Sequence, residues 1–365
     1  MNGEWSEGLW FTLAIHHSPF RSTPMRSRIT LLPAGQVIGT EAEETILDAA
    51  LRAGINLPHS CKAGHCSSCR AKVVDGSIRY RSGRPLGLME QEERDGYALL
   101  CQALPAMSAV SVQVREIKPA PEIQVRYLPC RIERLQPLAS DVMAVFLRLP
   151  AAELFAFAAG QYVDVLLSGN RRRSFSIANS PHETGFLELH VRRVANGEFT
   201  TQLFDADKLK SLLRIEGPLG QFWFRDASQR PALLVGGGTG YAPLRSMLRH
   251  LLERGDRRSL HLYWGAQTVE GLYEDAIIRE WCTRYPNLQY TPVLADTAEN
   301  VDWPGRKGWA HAAVIEDHPS LAAFDVYAAG PPAMIETLRT DFAARGLPAD
   351  QLFFDSFDFA PRAAN

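Results

Sequence analysis

The chain has 365 residues, enough for two or three domains, and its 46% hydrophobic and 22% charged residues are ordinary for a globular protein. A formal net charge of −2 excludes a bulk basic footprint for nucleic acid. No apolar run approaches the ~20 residues of a membrane span.

Residues 1–25 read as a loose extension, or as a misplaced start ahead of Met25. Glu4 and Glu7 stand where a signal peptide carries basic residues, the apolar run Gly8 to Ile15 is as short as the shortest signal cores, and no small-x-small cleavage site follows. The protein is therefore expected in the cytoplasm.

Residues 26–118 pattern as a small domain. RITLLP and QVIGT alternate as a strand pair around Pro33 and Gly35. EETILDAALRAG is helical, with Ile46, Leu47, Ala50 and Leu51 on one face, Thr45 or Thr40 as N-cap and Gly54 as C-cap. AKVVDGSIRY is expected to form a hairpin turning at Asp75-Gly76, and AVSVQVRE closes the sheet.

Between helix and hairpin lies CKAGHCSSC, in which Cys61, Cys66 and Cys69 are separated by four and then two residues; Cys101 follows in ALLCQAL. Thiolates are the soft ligands of iron and zinc. A loop of three cysteines plus a distant fourth is the plant-type 2Fe-2S spacing. Ala63, Gly64, Ser67 and Ser68 are small enough for backbone N–H groups to point at cluster sulfurs. Two competitors remain. Structural zinc draws its cysteines as two short pairs, and disulfides belong to an oxidising compartment. The remaining thiols, Cys130 and Cys282, lie in apolar-patterned segments and read as buried free cysteines. Strand, strand, helix, metal loop, strands is the order of a β-grasp ferredoxin, which this segment resembles over its whole length.

Lys118-Pro119-Ala120-Pro121 reads as a stiff linker. Arg79, Arg81 and Arg84 form a basic run that reads as a solvated face, with docking of an electron acceptor as the minority alternative.

Residues 123–228 carry many short β-patterned runs and few helices, the pattern of an antiparallel barrel. Two stretches bear chemistry. In Arg173-Ser174-Phe175-Ser176 an arginine fork fits a pyrophosphate, and an aromatic two positions on shares its strand face and can lie on a flat ring. In Gly197-Glu198-Phe199-Thr200 a glycine admits a phosphate to backbone N–H groups and a hydroxyl follows at a helix start. Each is weak alone; their order within one barrel segment makes the signal.

Residues 229–365 switch to alternating strands and helices, implying a parallel sheet covered on both faces. PALLVGGG runs into Gly236-Gly237-Gly238-Thr239-Gly240 and then a helix with Leu244, Met247, Leu248, Leu251 and Leu252 on one face. A glycine turn at a helix N-terminus is a phosphate site. DVYAAG runs into Gly330-Pro331-Pro332, so both turns are expected to face one crevice at the carboxyl ends of the strands.

From residue 123 onward the chain resembles the ferredoxin–NADP reductase superfamily. The resemblance implies that Arg173 pairs with the FAD pyrophosphate and Phe175 stacks on the isoalloxazine. Ser176 would be the catalytic residue beside the hydride-accepting nitrogen, and Gly197 and Thr200 would hold phosphates. Gly237, Gly238, Thr239, Gly240, Gly330 and Pro331 would bind the nicotinamide nucleotide. Gly160-Gln161-Tyr162 and Glu216-Gly217-Pro218-Leu219-Gly220 also match the family. The family often has Cys where this chain has Ala329, which puts the rate in doubt and not the activity. It often has Arg where this chain has Gln267, followed by Thr268, Val269 and Glu270, so NADH is expected over NADPH. Phe357, in FFDSFDF, is a candidate flavin lid with Asp355 a polar neighbour; the alternative is that these phenylalanines are the last packed strand.

The expected fold class is thus α+β multidomain: a β-grasp 2Fe-2S ferredoxin, an antiparallel β-barrel FAD domain and an α/β parallel-sheet NAD(P) domain. NADH gives up two electrons together, a 2Fe-2S cluster takes one, and flavin handles both. The domain order resembles reductase components of aromatic-ring dioxygenases and of phenol, toluene and methane monooxygenases. It also resembles the reductase serving a 3-dehydrase in CDP-deoxysugar synthesis, most closely around SCKAGHCSSC and AAGPPAM. The expected partner is an external one-electron acceptor, an oxygenase or dehydratase component. A partner-free flavin reductase or diaphorase, and a non-catalytic iron–sulfur module, remain as alternatives.

Overall fold

The computed structural model describes residues 27–114, 123–194, 197–204 and 208–357, apart from 56, 60, 61, 63, 65–68 and 152. The expected extension 1–25, the linker 118–121, Cys61 and Cys66 lie outside the described residues.

The first sheet is ordered Gln36–Gly39, Arg28–Leu32, Ala109–Gln113, Arg70–Asp75, Tyr97–Leu99. Ile29 and Leu31 alternate inward and are fully buried. The helix Ile46–Arg52 covers them. Thr45 Oγ1 caps it by accepting from Asp48 N at 3.1 Å. Its far end is a Schellman turn. Gly54, at φ +77°, donates to the Leu51 carbonyl oxygen, and Ile55 donates to that of Ala50.

The expected hairpin at Asp75-Gly76 does not form. The chain does turn at Gly76, but Ile78–Arg79 pairs instead with Leu104–Pro105 in a separate two-stranded sheet. A Cβ on Gly76 would lie 2.6 Å from the Ala109 carbonyl oxygen. The turn is thus pressed onto the sheet's neighbouring strand, which holds the place a returning hairpin strand would need.

The middle sheet is antiparallel throughout, ordered Arg172–Ser176, Tyr162–Leu166, Leu212–Leu219, Arg126–Ala139, Val142–Arg148, Phe186–Arg192. A single bridge between Ile177 and Leu189 joins its two outer strands into a barrel. Ile132, Val145, Leu147, Val163, Ile177 and Ile215 fill its interior.

The last sheet is parallel, ordered Arg306–Lys307, Leu288–Leu294, Leu260–Ala266, Ala232–Gly237, Asp325–Gly330, Leu352–Ser356. Leu233 and Val235 pack against Leu338 and Phe342 on one face, while Leu234 packs against Leu244, Met247 and Leu248 on the other. A strand buried on both faces reads as one apolar run, which PALLVGGG is. Strand order reverses between Ala232–Gly237 and Asp325–Gly330, which opens a crevice beyond their carboxyl ends.

Candidate functional site

In the ferredoxin domain, Cys69 and Cys101 are brought together from distant positions and are 3% and 6% exposed. The Cys101 backbone N–H donates to Cys69 Sγ at 3.5 Å. Gly64, at φ +81°, is required by close packing: a Cβ there would lie 2.8 Å from Gln102 Cγ and 3.0 Å from Pro85 Cβ. Gln102 Nε2 donates to the Lys62 carbonyl oxygen and Gly87 N to that of Gly64, which ties the described part of the cysteine loop to both neighbouring turns. Two buried thiols with a backbone amide aimed at sulfur fit a thiolate-held 2Fe-2S cluster. Burial pushes His59, just ahead of Cys61, down to a pKa of about 4, so its imidazole is neutral. Arg79 and Arg81 both pair with Glu43, and Arg84 with Glu93, so this basic run is partly offset by the domain's own carboxylates.

In the barrel, Arg173, Phe175 and Ser176 share the strand Arg172–Ser176, and all three are half-buried. The guanidinium of Arg173 donates to the Arg172 carbonyl oxygen. Phe175 and Phe199 lie with ring centroids 5.9 Å apart, which brings the two sequence motifs onto one surface. A Cβ on Gly197 would lie 2.5 Å from Thr200 Oγ1 and 3.0 Å from the Val194 carbonyl oxygen, a cradle only glycine leaves open. Thr200 Oγ1 donates to the Gly197 carbonyl oxygen and accepts from Val194 N, so this hydroxyl shapes the loop. Gln161 Nε2 donates to the Gly220 carbonyl oxygen, joining the two flanking motifs. Arginine, aromatic and glycine cradle fit a flavin dinucleotide. Elsewhere in the barrel, burial pushes the Cys130 thiol up to about 12, so it is inert.

In the parallel sheet, the glycine turn and Gly330-Pro331 meet as expected. A Cβ on Gly240 would lie 1.9 Å from the Ala329 carbonyl oxygen, and one on Gly237 would lie 2.6 Å from Met334 Sδ and 3.1 Å from Pro331 Cδ. Thr239 lies inside the short helical turn Gly238–Gly240 that leads into the helix Tyr241–Glu253. Trp264 Nε1 donates to the Gly238 carbonyl oxygen at 2.9 Å, and Tyr241 stacks on Trp264 at 4.1 Å. The Gly238 carbonyl is thereby held toward Trp264 and Tyr241. Phe357 N donates to the Gly330 carbonyl oxygen at 2.9 Å, and its ring packs against the nucleotide-domain core. Phe357 thus extends the last strand at the rim of the crevice.

One residue at the nucleotide turn carries no motif in the sequence. Arg192, on the barrel strand Phe186–Arg192, reaches the nucleotide turn: its Nη2 is 3.5 Å from where a Cβ on Gly238 would sit. Its Nη1 lies 3.3 Å from Asp141 Oδ2, and its Nε is buried with no hydrogen-bond partner among the described residues. The only sequence signal was the pair Arg192-Arg193 in LHVRRV, which matches any charged strand end.

A pair of buried cysteines, a flavin-type barrel and a dinucleotide crevice in one chain point to an iron–sulfur flavoprotein oxidoreductase. The description "2Fe-2S iron-sulfur cluster binding domain" matches residues 29–106, "Oxidoreductase FAD-binding domain" residues 129–224 and "Oxidoreductase NAD-binding domain" residues 234–340. The CDP-6-deoxy-L-threo-D-glycero-4-hexulose-3-dehydrase reductase of Yersinia pestis is 38% identical over 333 residues, covering 91% of this chain and 99% of that protein. The phenol 2-monooxygenase reductase component of a Pseudomonas species is 32% identical over 338 residues, 91% of this chain and 95% of that one. Among solved structures, the Amycolatopsis cytochrome P450 reductase superposes with a TM-score of 0.72 at 33% identity, over 91% of this chain and 98% of that one. The chain belongs to this family of NAD(P)H-dependent reductases built from 2Fe-2S, FAD-binding and NAD-binding domains. Among the described residues, no helix is long and apolar enough to cross a membrane.

Proposed function

We propose that the protein is an NADH-driven reductase that delivers single electrons to a separate oxygenase component, a mono- or dioxygenase. When bound, FAD supplies a hydride acceptor and the 2Fe-2S cluster a one-electron carrier. The observation that carries the reading is Arg192: an arginine of the flavin barrel stands at the glycine turn of the nucleotide domain, which supports two sites that share one crevice. Its guanidinium, whose Nε has no hydrogen-bond partner among the described residues, is suited to a nucleotide phosphate.

In this reading Arg173 holds the FAD pyrophosphate and Phe175 lies on the flavin ring. Ser176 stands at its reacting edge, and Gly197 and Thr200 form the phosphate loop. Gly237, Gly238, Thr239 and Gly240 take the nucleotide phosphates, Gly330 and Pro331 flank the nicotinamide, and Phe357 covers the crevice rim. Cys61, Cys66, Cys69 and Cys101 hold the cluster. NADH is favoured over NADPH because Gln267, Thr268, Val269 and Glu270 bring one carboxylate and no cation to a 2′-phosphate. The setting is the cytoplasm, where thiols stay reduced.

Similarity to the hexulose-dehydrase reductase supports a second reading, in which the acceptor is a CDP-deoxysugar 3-dehydrase. A partner-free diaphorase is disfavoured by the Cys69–Cys101 pair, which such an enzyme does not need. The test is an anaerobic NADH titration of protein reconstituted with FAD, iron and sulfide. Bleaching of the flavin bands together with a reduced 2Fe-2S electron-paramagnetic signal is expected. Protein that takes up zinc and no iron, or binds no FAD, overturns the reading. Adding purified oxygenase or dehydrase components to the reduced protein then shows which one turns over.

A further inference from the structure

Behind the nucleotide turn lies a buried charge network that none of the roles above uses. Arg245, on the helix Tyr241–Glu253, is 8% exposed. Its Nε donates to Glu274 Oε2 at 2.7 Å, and its Nη1 donates to Glu188 Oε2 at 3.0 Å and to the Ala178 carbonyl oxygen at 2.9 Å. Glu188 Oε1 faces His190 Nε2 at 3.2 Å, and His190 Nδ1 faces the Tyr273 hydroxyl at 3.1 Å. The Tyr241 hydroxyl donates to the same Glu274 oxygen at 2.9 Å. Next along the helix, Ser246 Oγ donates to the Asn179 carbonyl oxygen at 2.7 Å.

The network joins four pieces, one of them the turn that carries Tyr273 and Glu274 ahead of the helix Asp275–Arg284. Glu188 and His190 belong to the barrel. Arg245 and Tyr241 belong to the helix that begins at the glycine turn. Ala178 and Asn179 lie just beyond Ser176 on the flavin-motif segment. Apolar residues of similar volume would often hold such a seam as well as a buried ion triad does, or better. What the triad adds is geometry, because a planar guanidinium fork is satisfied at one placement of the barrel against the helix. Hydride transfer is the step most sensitive to that placement: reacting atoms must lie about 3–3.5 Å apart, and an error of about 1 Å costs about 100-fold.

We propose that Arg245 is a positioning residue for hydride transfer. With Glu188, Glu274 and Ser246 it holds the chain beyond Ser176 against the helix that carries the nucleotide turn. The proposal rests on the reading that NADH reduces FAD across this crevice.

The test is Arg245→Lys in FAD-loaded protein, which keeps the charge and loses the fork. FAD content and calorimetric affinity for ADP-ribose should be unchanged. The flavin-reduction rate at saturating NADH should fall by about 10- to 100-fold, and the long-wavelength charge-transfer absorbance of reduced protein with NAD+ should weaken. Glu274→Gln and Ser246→Ala should show the same split at smaller size, and they decide the matter if the lysine variant does not fold. An unchanged limiting rate in folded, FAD-bound variants overturns the proposal, as does a fall that only follows lost FAD or lost nucleotide affinity. Wild-type protein that binds FAD but is not reduced by NADH overturns the functional reading instead.

Discussion

The nucleotide domain meets its two neighbours in different ways. Against the barrel the seam has a buried centre: Arg245, Glu188 and Glu274 are buried, and Met247 packs so tightly on Gly160 that a Cβ there would lie 2.4 Å from its methyl. Against the ferredoxin domain, a contact among the described residues is ionic. Glu92 accepts from Arg339 Nη2 at 2.7 Å and also pairs with Arg70 of its own domain, while Arg339 lies over the Phe354 ring. The difference follows the chemistry each seam would serve. Hydride passes only between atoms in contact, so its two sites need a fixed separation. An electron tolerates a longer and more variable gap, so a few charges that can open and re-form suffice.

Variants can break this contrast or sharpen it. The largest effect should come from Cys101→Ser, at the proposed fourth cluster ligand: iron content and cytochrome c reduction should drop to background while NADH-to-ferricyanide activity persists. Equal loss of both would show that the two halves are not separable. Gly240→Ala drives a Cβ into the Ala329 carbonyl and should destabilise the nucleotide domain by about 3 kcal/mol, read from urea unfolding. Arg192→Ala would remove the proposed charge-assisted phosphate contact, worth about 1.5 kcal/mol, and should raise the KM for NADH about tenfold with FAD retained.

Acid should open the barrel seam. Burial alone would raise the Glu188 pKa, but the hydrogen bond from His190 and the charge of Arg245 outweigh it and hold it at about 2, against an ordinary 4.5. A depressed carboxyl pKa contributes stability that is present above pH 4.5 and lost as pH falls toward 2. Acid unfolding followed by flavin release should therefore begin in that window, and Glu188→Gln should flatten it. The smallest effect should come from Glu92→Gln. It should change stability by about 1 kcal/mol or less, leave NADH-to-ferricyanide turnover intact, and reduce the salt dependence of cytochrome c reduction.

Much of the fold was legible because its signals are local. Thr45 caps its helix, Gly54 closes it, and PALLVGGG is a strand buried on both faces, since capping and periodicity act within a few residues. The expected hairpin at Asp75-Gly76 does not form, because a turn dipeptide specifies a reversal and not the partner of the strand that follows. Ile78–Arg79 found Leu104–Pro105, which no local pattern announces. Arg192 and Arg245 were invisible for a related reason. An arginine at a strand end or on a helix looks solvated until tertiary structure places Gly238 or two carboxylates beside it.

The amino-acid sequence alone determined the three-domain order, the cysteine spacing, the two flavin-motif stretches and the two glycine turns. Each is written in residues close together along the chain, and each carries its chemistry in its own side chains or backbone. Tertiary structure alone decided that Phe175 meets Phe199, that Arg192 reaches the nucleotide turn, and that one buried cation joins barrel to helix. These are long-range placements, fixed by the packing of whole sheets, and a buried charge becomes readable only when its partners arrive from elsewhere in the fold.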